Sequence, residues 1–211
     1  EKIAEVCKKY QIWVISDEIY CELAYDGAEH VSIGSFPGMK DYTIILNGFS
    51  KSFAMTGWRI GYMAAPEWIV KGCNKLQGQY TSGACSVSQK AAEAAYIASQ
   101  ECVEEMRVAF ERRRNLIYDL AKDIPGLEVN KPDGAFYLFP KCSSFYGKKC
   151  DDRVINTSID LALYLLEVGH VATVAGDAFG DPDCFRMSYA TSDDNIREAM
   201  RRIKDCLSKL N

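Results

Sequence analysis

The chain has 211 residues, 48% hydrophobic and 26% charged, enough apolar material for a packed core in one large domain or two small ones. A net charge of -4 and a pI near 5.3 argue against a nucleic-acid surface. No apolar run approaches the roughly 18 to 20 residues of a membrane span, and the first residues lack the layout of a signal peptide.

Glu1 to Tyr10 has the pattern of the last turns of a helix, with Ile3, Val6 and Cys7 on one side, so the chain is expected to begin inside a domain. Three short apolar runs follow, the signature of parallel α/β structure. Ile12–Ser16 and Thr43–Asn47 read as buried strands, and Arg59–Ala65 as a third, stopped by Pro66. Asp26-Gly27 and Gly34–Gly38 mark a loop region between the first two. Glu67–Gln77 predicts a helix, and Thr81-Ser82-Gly83 a connector. From Val87 to Asp123 the pattern predicts one long helix, with Val103, Met106, Phe110, Ile117, Leu120 and Ile124 on an apolar face, stopped at Pro125-Gly126. Arg112-Arg113-Arg114 lies in it beside Glu111 and reads as a solvated face. The remainder switches to an α+β pattern. Leu127–Val129 leads to Ala135–Phe139, then a loop from Pro140 to Asp152. A helix over Ser158–Val168, strands over Val171–Val174 and Cys184–Tyr189, and a helix over Asp194–Leu210 complete it. The domain boundary is expected inside the long helix, giving domains 1–118 and 119–211.

Nine cysteines, an odd number without a Cys-x-x-Cys, read as reduced structural thiols of a cytoplasmic protein. With only His30 and His170 to join them, zinc-ligand spacing is absent and no metal site is expected. Both histidines read as structural or surface residues; His170 follows Gly169 at a helix end, where a cation is favoured.

The residues with chemical promise sit at strand ends. Asp17 closes the first strand, where open parallel sheets present ligand-binding groups, and Tyr20 follows three residues later. Alone, this pair also fits a helix-start acid and a core tyrosine. Lys51 follows the second strand by a short turn, among Gly48, Phe49, Phe53, Met55 and Trp58. Schiff-base chemistry needs a neutral amine, which partial burial and a nearby cation favour. Arg59 suits a phosphate, whose oxygens a guanidinium matches in two-pronged fashion, and Ser50 adds a hydroxyl. Arg186, between Phe185 and Met187, is costly to bury without an anion; it is either a structural ion pair or a clamp for a substrate carboxylate. Gly176–Gly180 is a turn suited to a site rim.

Four motifs in order, Ser16-Asp17-Glu18-Ile19-Tyr20, Ser50-Lys51-x7-Arg59-Ile60-Gly61-Tyr62, Pro132-Asp133-Gly134-Ala135-Phe136-Tyr137 and Phe185-Arg186-Met187-Ser188-Tyr189-Ala190, together resemble class I/II aminotransferases. These are fold-type I enzymes that use pyridoxal 5'-phosphate (PLP), and the likeness is strongest to the aspartate aminotransferase branch. The resemblance implies an α/β fold: part of a PLP-transferase large domain, mainly parallel sheet with helices, then a smaller α+β domain. It implies Lys51 in a Schiff base with PLP, Asp17 on the pyridinium nitrogen and Tyr20 on the ring hydroxyl. Ser50 and Arg59 would hold the phosphate, and Arg186 the substrate α-carboxylate. Ping-pong transamination between an amino acid and a 2-oxo acid would follow, aspartate with 2-oxoglutarate in the first place. Gln79–Ser82 resembles the segment such enzymes lend across a homodimer interface.

The family's chain is nearly twice as long, so these residues resemble its C-terminal portion. The absent half would bring a glycine-rich phosphate turn and an aromatic that stacks on the cofactor. The piece alone is therefore expected to hold PLP weakly and to turn over poorly. Alternatives are an aromatic or prephenate aminotransferase, a PLP-dependent β-lyase, or a non-catalytic aminotransferase-like dimerisation module.

Overall fold

The computed structural model describes residues 1–211. Packing divides them into two compact units, 1–107 and 108–211. The division falls inside a long helix, whereas the sequence pattern places the change near residue 118 of the same stretch.

In the first unit, α1 (Lys2–Tyr10) buries Ala4 and Cys7 against Met39, Val14, Ile33, Phe36 and Tyr42. It stops where Gln11 turns left-handed at φ 53°. β1 (Val14–Asp17) and β2 (Thr43–Gly48) pair in parallel, from Val14–Thr43 to Asp17–Leu46. β3 (Gly61–Ala64) then joins β2 antiparallel, so the order β1-β2-β3 is a mixed sheet. The reversal has a simple cause. Residues 49–60 hold only turns, among them a 3-10 turn over Thr56–Trp58, and a parallel return needs a longer crossover. Gly48 and Gly61 face each other so closely that a Cβ on Gly48 would lie 2.9 Å from the Gly61 Cα. Two glycines thus set the spacing of β2 and β3 just before the Lys51 turn.

Two expectations need correction here. β1 is not buried on both faces: Ile15 is 68% exposed and Asp17 is exposed, while Val14 and Ser16 turn inward. It is also an edge strand with one paired neighbour, and the side chains on one of its faces meet no second layer. The helix expected over Val87–Asp123 is two helices. After α2 (Glu67–Tyr80) come α3 (Ser86–Ile97) and α4 (Glu101–Lys122). Ala98 is extended at ψ 169°, and the Ser99 hydroxyl accepts the Glu101 N–H at 3.3 Å, capping the new helix.

The second unit holds β4 (Tyr137–Leu138), the hairpin β5 (Lys149–Cys150) and β6 (Arg153–Val154), α5 (Ser158–Glu167), β7 (Val174–Ala175), β8 (Phe185–Ser188) and α6 (Asp193–Leu207). β4, β8 and β7 form an antiparallel sheet in that order. Within Ala135–Phe139 only Tyr137–Leu138 is strand, Ala135 being left-handed (φ 57°), and Leu127–Val129 contributes a single bridge, Glu128–Lys141. α5 starts in a capping box: Thr157 Oγ1 accepts the Asp160 N–H at 3.1 Å, and Asp160 Oδ2 accepts the Thr157 N–H at 3.0 Å. Leu138, Ile155, Leu161, Leu165, Phe185 and Ile203 are fully buried in the core, each contributing on the order of 1.5–3 kcal/mol by leaving water. The Tyr164 hydroxyl donates to the Cys206 carbonyl at 3.0 Å, tying α5 to α6.

Gly176 marks the tightest place in this unit. A Cβ there would lie 2.1 Å from the Asp181 carbonyl oxygen and 2.3 Å from that of Cys184, both backbone atoms that cannot swing aside. Gly176→Ala is expected to cost about 2–4 kcal/mol, read as a lower midpoint in urea denaturation. An unchanged midpoint would show that the turn has room the structure denies it.

Candidate active site

The in-register pairing of β1 and β2 aligns their carboxyl ends, and the candidate residues of the first unit gather there. Asp17 ends β1 on its exposed face, and its Oδ1 accepts the Ile19 N–H at 3.2 Å. The chain then turns through Cys21 N–H to the Glu18 carbonyl (3.0 Å) and Leu23 N–H to the Tyr20 carbonyl (2.9 Å), leaving Tyr20 half-buried. β2 runs on to Gly48 and enters a turn closed by the Phe53 and Met55 N–H groups on the Phe49 carbonyl. Ser50 and Lys51 are both half-buried in it. The Lys51 ammonium lies over the Tyr20 ring, 5.7 Å from its centroid. The structure thus brings together an amine and a phenol from two neighbouring strands.

Arg59 is placed differently from its expected position in a strand. It is exposed, precedes β3, and adopts a left-handed backbone at φ 51°. Its Nη1 donates to the Thr56 carbonyl at 2.9 Å, and the buried Ser88 hydroxyl holds the adjacent Trp58 carbonyl at 2.8 Å. A non-glycine residue pays about 1–3 kcal/mol for such a conformation, which persists where the surroundings over-determine it.

Arg186 belongs to the second unit. Phe185 and Met187 point into the core, as alternation along β8 requires, and Arg186 turns the other way. Its guanidinium carbon lies over the Tyr137 ring (4.3 Å to the centroid) and over the Phe179 ring (4.2 Å), the latter on the Gly176–Gly180 turn.

Glu18 did not stand out in the sequence. Its side chain is only 8% exposed, and its carboxylate accepts from Ser32 Oγ (2.6 Å), Ser16 Oγ (3.1 Å) and His30 Nε2 (3.2 Å). His30, which reads from sequence as a structural or surface residue, is a partner of a buried acid. Strand alternation was the available signal, because Ser16 and Glu18 share the face opposite Asp17. A separate cavity of about 290 Å³ is lined by Cys21, Asn47, Tyr62, Tyr96, Glu104 and Arg107 among others, and by none of the candidate residues. Its polar groups satisfy one another, with Tyr96 donating to Tyr62 at 2.6 Å and Asn47 to the Cys21 sulfur at 3.3 Å. All nine cysteines are free thiols, no group of three or more His, Cys, Asp or Glu is placed to hold a metal, and no helix is long and apolar enough to cross a membrane.

A family model described as aminotransferase class I and II matches residues 1–203. The chain is 48% identical over 212 residues to a bifunctional aspartate aminotransferase and glutamate/aspartate-prephenate aminotransferase of Petunia hybrida, across 98% of this chain and 44% of that protein. It is 45% identical over 208 residues to the aspartate aminotransferase of Bacillus subtilis (strain 168), across 98% and 52%. Among solved structures, the aspartate aminotransferase of Rhizobium meliloti matches with a TM-score of 0.94 and 38% identity, over 99% of this chain and 53% of that one. An aromatic aminotransferase of Pyrococcus horikoshii OT3 matches with a TM-score of 0.91 and 39% identity, over 98% and 54%. The chain spans about half the length of the relatives it matches.

Glu18 yields a pH prediction. Burial alone would raise its pKa, but the bonds from Ser32, His30 and Ser16 outweigh that and hold the carboxyl below its usual range. The unfolded chain then takes up the proton first, so the stability from Glu18 is complete above about pH 4.3 and fades as pH falls through the folded value. Glu18→Gln is expected to lower Tm at neutral pH and to flatten its acid decline below about pH 4.3. Parallel Tm–pH curves for the two proteins would refute this.

Proposed function

Because the chain belongs to the aminotransferase class I and II family, we propose that it carries the cofactor lysine and the substrate clamp of a PLP-dependent transaminase. The observation that carries this reading is the meeting of the Lys51 amine with the Tyr20 ring at the carboxyl ends of β1 and β2, beside Asp17.

The donor set fits PLP. Lys51 supplies an amine for an aldehyde, Asp17 a carboxylate for a protonated pyridine nitrogen, and Tyr20 a hydroxyl for the ring oxygen. Ser50 and Arg59 supply a hydroxyl and a guanidinium for the phosphate. PLP, when bound, serves as the electron sink that makes an amino acid's Cα proton acidic. Lys51 Nζ would hold the cofactor's aldehyde and, when free, would serve as the base that accepts the Cα proton and the acid that returns it. Asp17 would pair with the ring nitrogen and favour its protonated form. Arg186, with its guanidinium carbon 4.3 and 4.2 Å from the Tyr137 and Phe179 ring centroids, would hold an α-carboxylate through two parallel N–H bonds.

Aspartate with 2-oxoglutarate is the substrate pair we assign, supported by relatives named aspartate aminotransferase. A second reading, an aromatic or prephenate acceptor, is favoured by the Petunia and Pyrococcus matches. We assign a homodimer, supported by the 84% exposed Tyr80 in the Gln79–Ser82 segment, and a cytoplasmic setting, supported by the free thiols.

Borohydride reduction after incubation with PLP tests the central assignment. The fixed pyridoxyl group is expected on Lys51 by peptide mass mapping and is lost in Lys51→Ala; a different lysine would overturn the reading. Arg186→Ala is expected to raise KM for amino-acid substrates by about 10–100-fold, as loss of a bidentate contact should. Steady-state assays of the full-length enzyme against aspartate, tyrosine and prephenate decide the substrate. An aspartate kcat/KM below that for tyrosine would sink the aspartate assignment.

A further inference from the structure

We propose that Glu18 is a positioning residue: its buried carboxylate, gripped by Ser16, Ser32 and His30, fixes the strand-end turn that presents Asp17 and Tyr20. The proposal rests on the reading of those two residues as cofactor contacts.

Every atom of Glu18 that can hydrogen-bond is engaged in shaping this turn. Its N–H donates to the Leu46 carbonyl at 2.8 Å, extending the β1–β2 ladder by one rung, and its carbonyl accepts the Cys21 N–H at 3.0 Å. Oε1 takes bonds from Ser16 and Ser32, and Oε2 from His30. A buried carboxylate is tolerated only when its oxygens are satisfied in this way. The three donors come from different places. Ser16 lies two residues back on the same face of β1. Ser32 also caps the 3-10 turn Ile33–Ser35, accepting the Gly34 N–H at 3.3 Å. His30 comes from an exposed loop that the carboxylate draws in; its side chain is 38% exposed. Glu18 therefore joins the ladder, the turn and the loop at one point.

Asp17 is the residue immediately before, on the opposite face, and its Oδ1 bonds the Ile19 N–H across Glu18. The direction of the Asp17 carboxylate follows the backbone of 17–19, and that backbone is held from behind by Glu18. Tyr20 lies inside the same turn. A fault in the Glu18 cluster would misdirect both groups while leaving their own atoms intact, which is how a supporting contact tunes a ligand-binding group.

Hydrogen exchange and carboxyl ¹³C NMR on the cofactor-free protein, alongside PLP titration, separate the possibilities. Glu18→Gln keeps the shape and removes the charge; His30→Ala removes an exposed partner and leaves the core alone. Both variants are expected to speed exchange at 17–21 by about tenfold or more while amides of 108–211 stay unchanged. Both are also expected to move the Asp17 carboxyl resonance, and to raise by about three- to tenfold the PLP concentration that half-saturates borohydride fixation on Lys51. Unchanged exchange and an unmoved Asp17 resonance overturn the proposal. So does faster exchange with unaltered PLP fixation, which would make Glu18 a stability residue only. If the unmutated protein fixes no PLP on Lys51, the cofactor reading itself fails, and the positioning role is decided by the exchange and Asp17 data alone.

Discussion

Hydrogen bonding between β1 and β2 runs in step from Val14–Thr43 to Asp17–Leu46, and this register sets the chemistry of the first unit. A slip of one residue would turn Asp17 to the inward face and send Ser16 and Glu18 outward, because strand side chains alternate. With the register as it is, one strand delivers a carboxylate and a phenol and its neighbour delivers a lysine, at the same edge. Sequence distance between Tyr20 and Lys51 is thereby converted into a contact of 5.7 Å. The parallel arrangement also brings the two carboxyl ends together, which an antiparallel pairing would separate.

Charge in this protein is held by neighbours rather than by water alone. Glu18 is buried and accepts three side-chain hydrogen bonds, and Arg186 is flanked by two aromatic rings. Arg59 keeps a left-handed backbone that its own side chain helps to close. Each arrangement restricts orientation at some energetic cost, and restricted orientation is what a site for a charged ligand needs. For Arg186 the same geometry bears on the choice left open by its sequence. Its two ring neighbours, Tyr137 and Phe179, carry no charge and so do not neutralise the guanidinium.

The two units differ in how they finish their cores. The second closes a continuous core that includes Leu138, Leu161, Tyr164, Leu165, Phe185, Tyr189 and Ile203, drawn from α5, α6 and the strands of the antiparallel sheet and their ends. In the first, Ala4, Cys7 and Met39 form a small buried cluster and Leu23, Tyr25 and Phe49 are buried as well, while Ile15 is 68% and Trp68 67% exposed. The candidate cofactor groups Asp17, Tyr20, Ser50, Lys51 and Arg59 lie in the first unit.

Much of this protein is legible in its amino-acid sequence. Apolar runs locate β1 and β2, and the Asp17, Tyr20, Lys51 and Arg59 set stands out by residue type and spacing. The helical patterns from Ser158 and Asp194 find α5 and α6, whose starts Thr157 and Ser192 cap. These are local properties, written in neighbouring residues. Tertiary structure alone decided the rest: the reversal of β3, the exposed face of β1, the break at Ala98 to Gln100, and the union of Ser16, Glu18, His30 and Ser32 around one carboxylate. Strand direction depends on where a connection travels, and burial depends on what covers a face. A histidine twelve residues away meets Glu18 only because a loop folds back, and no periodicity within either segment encodes that return.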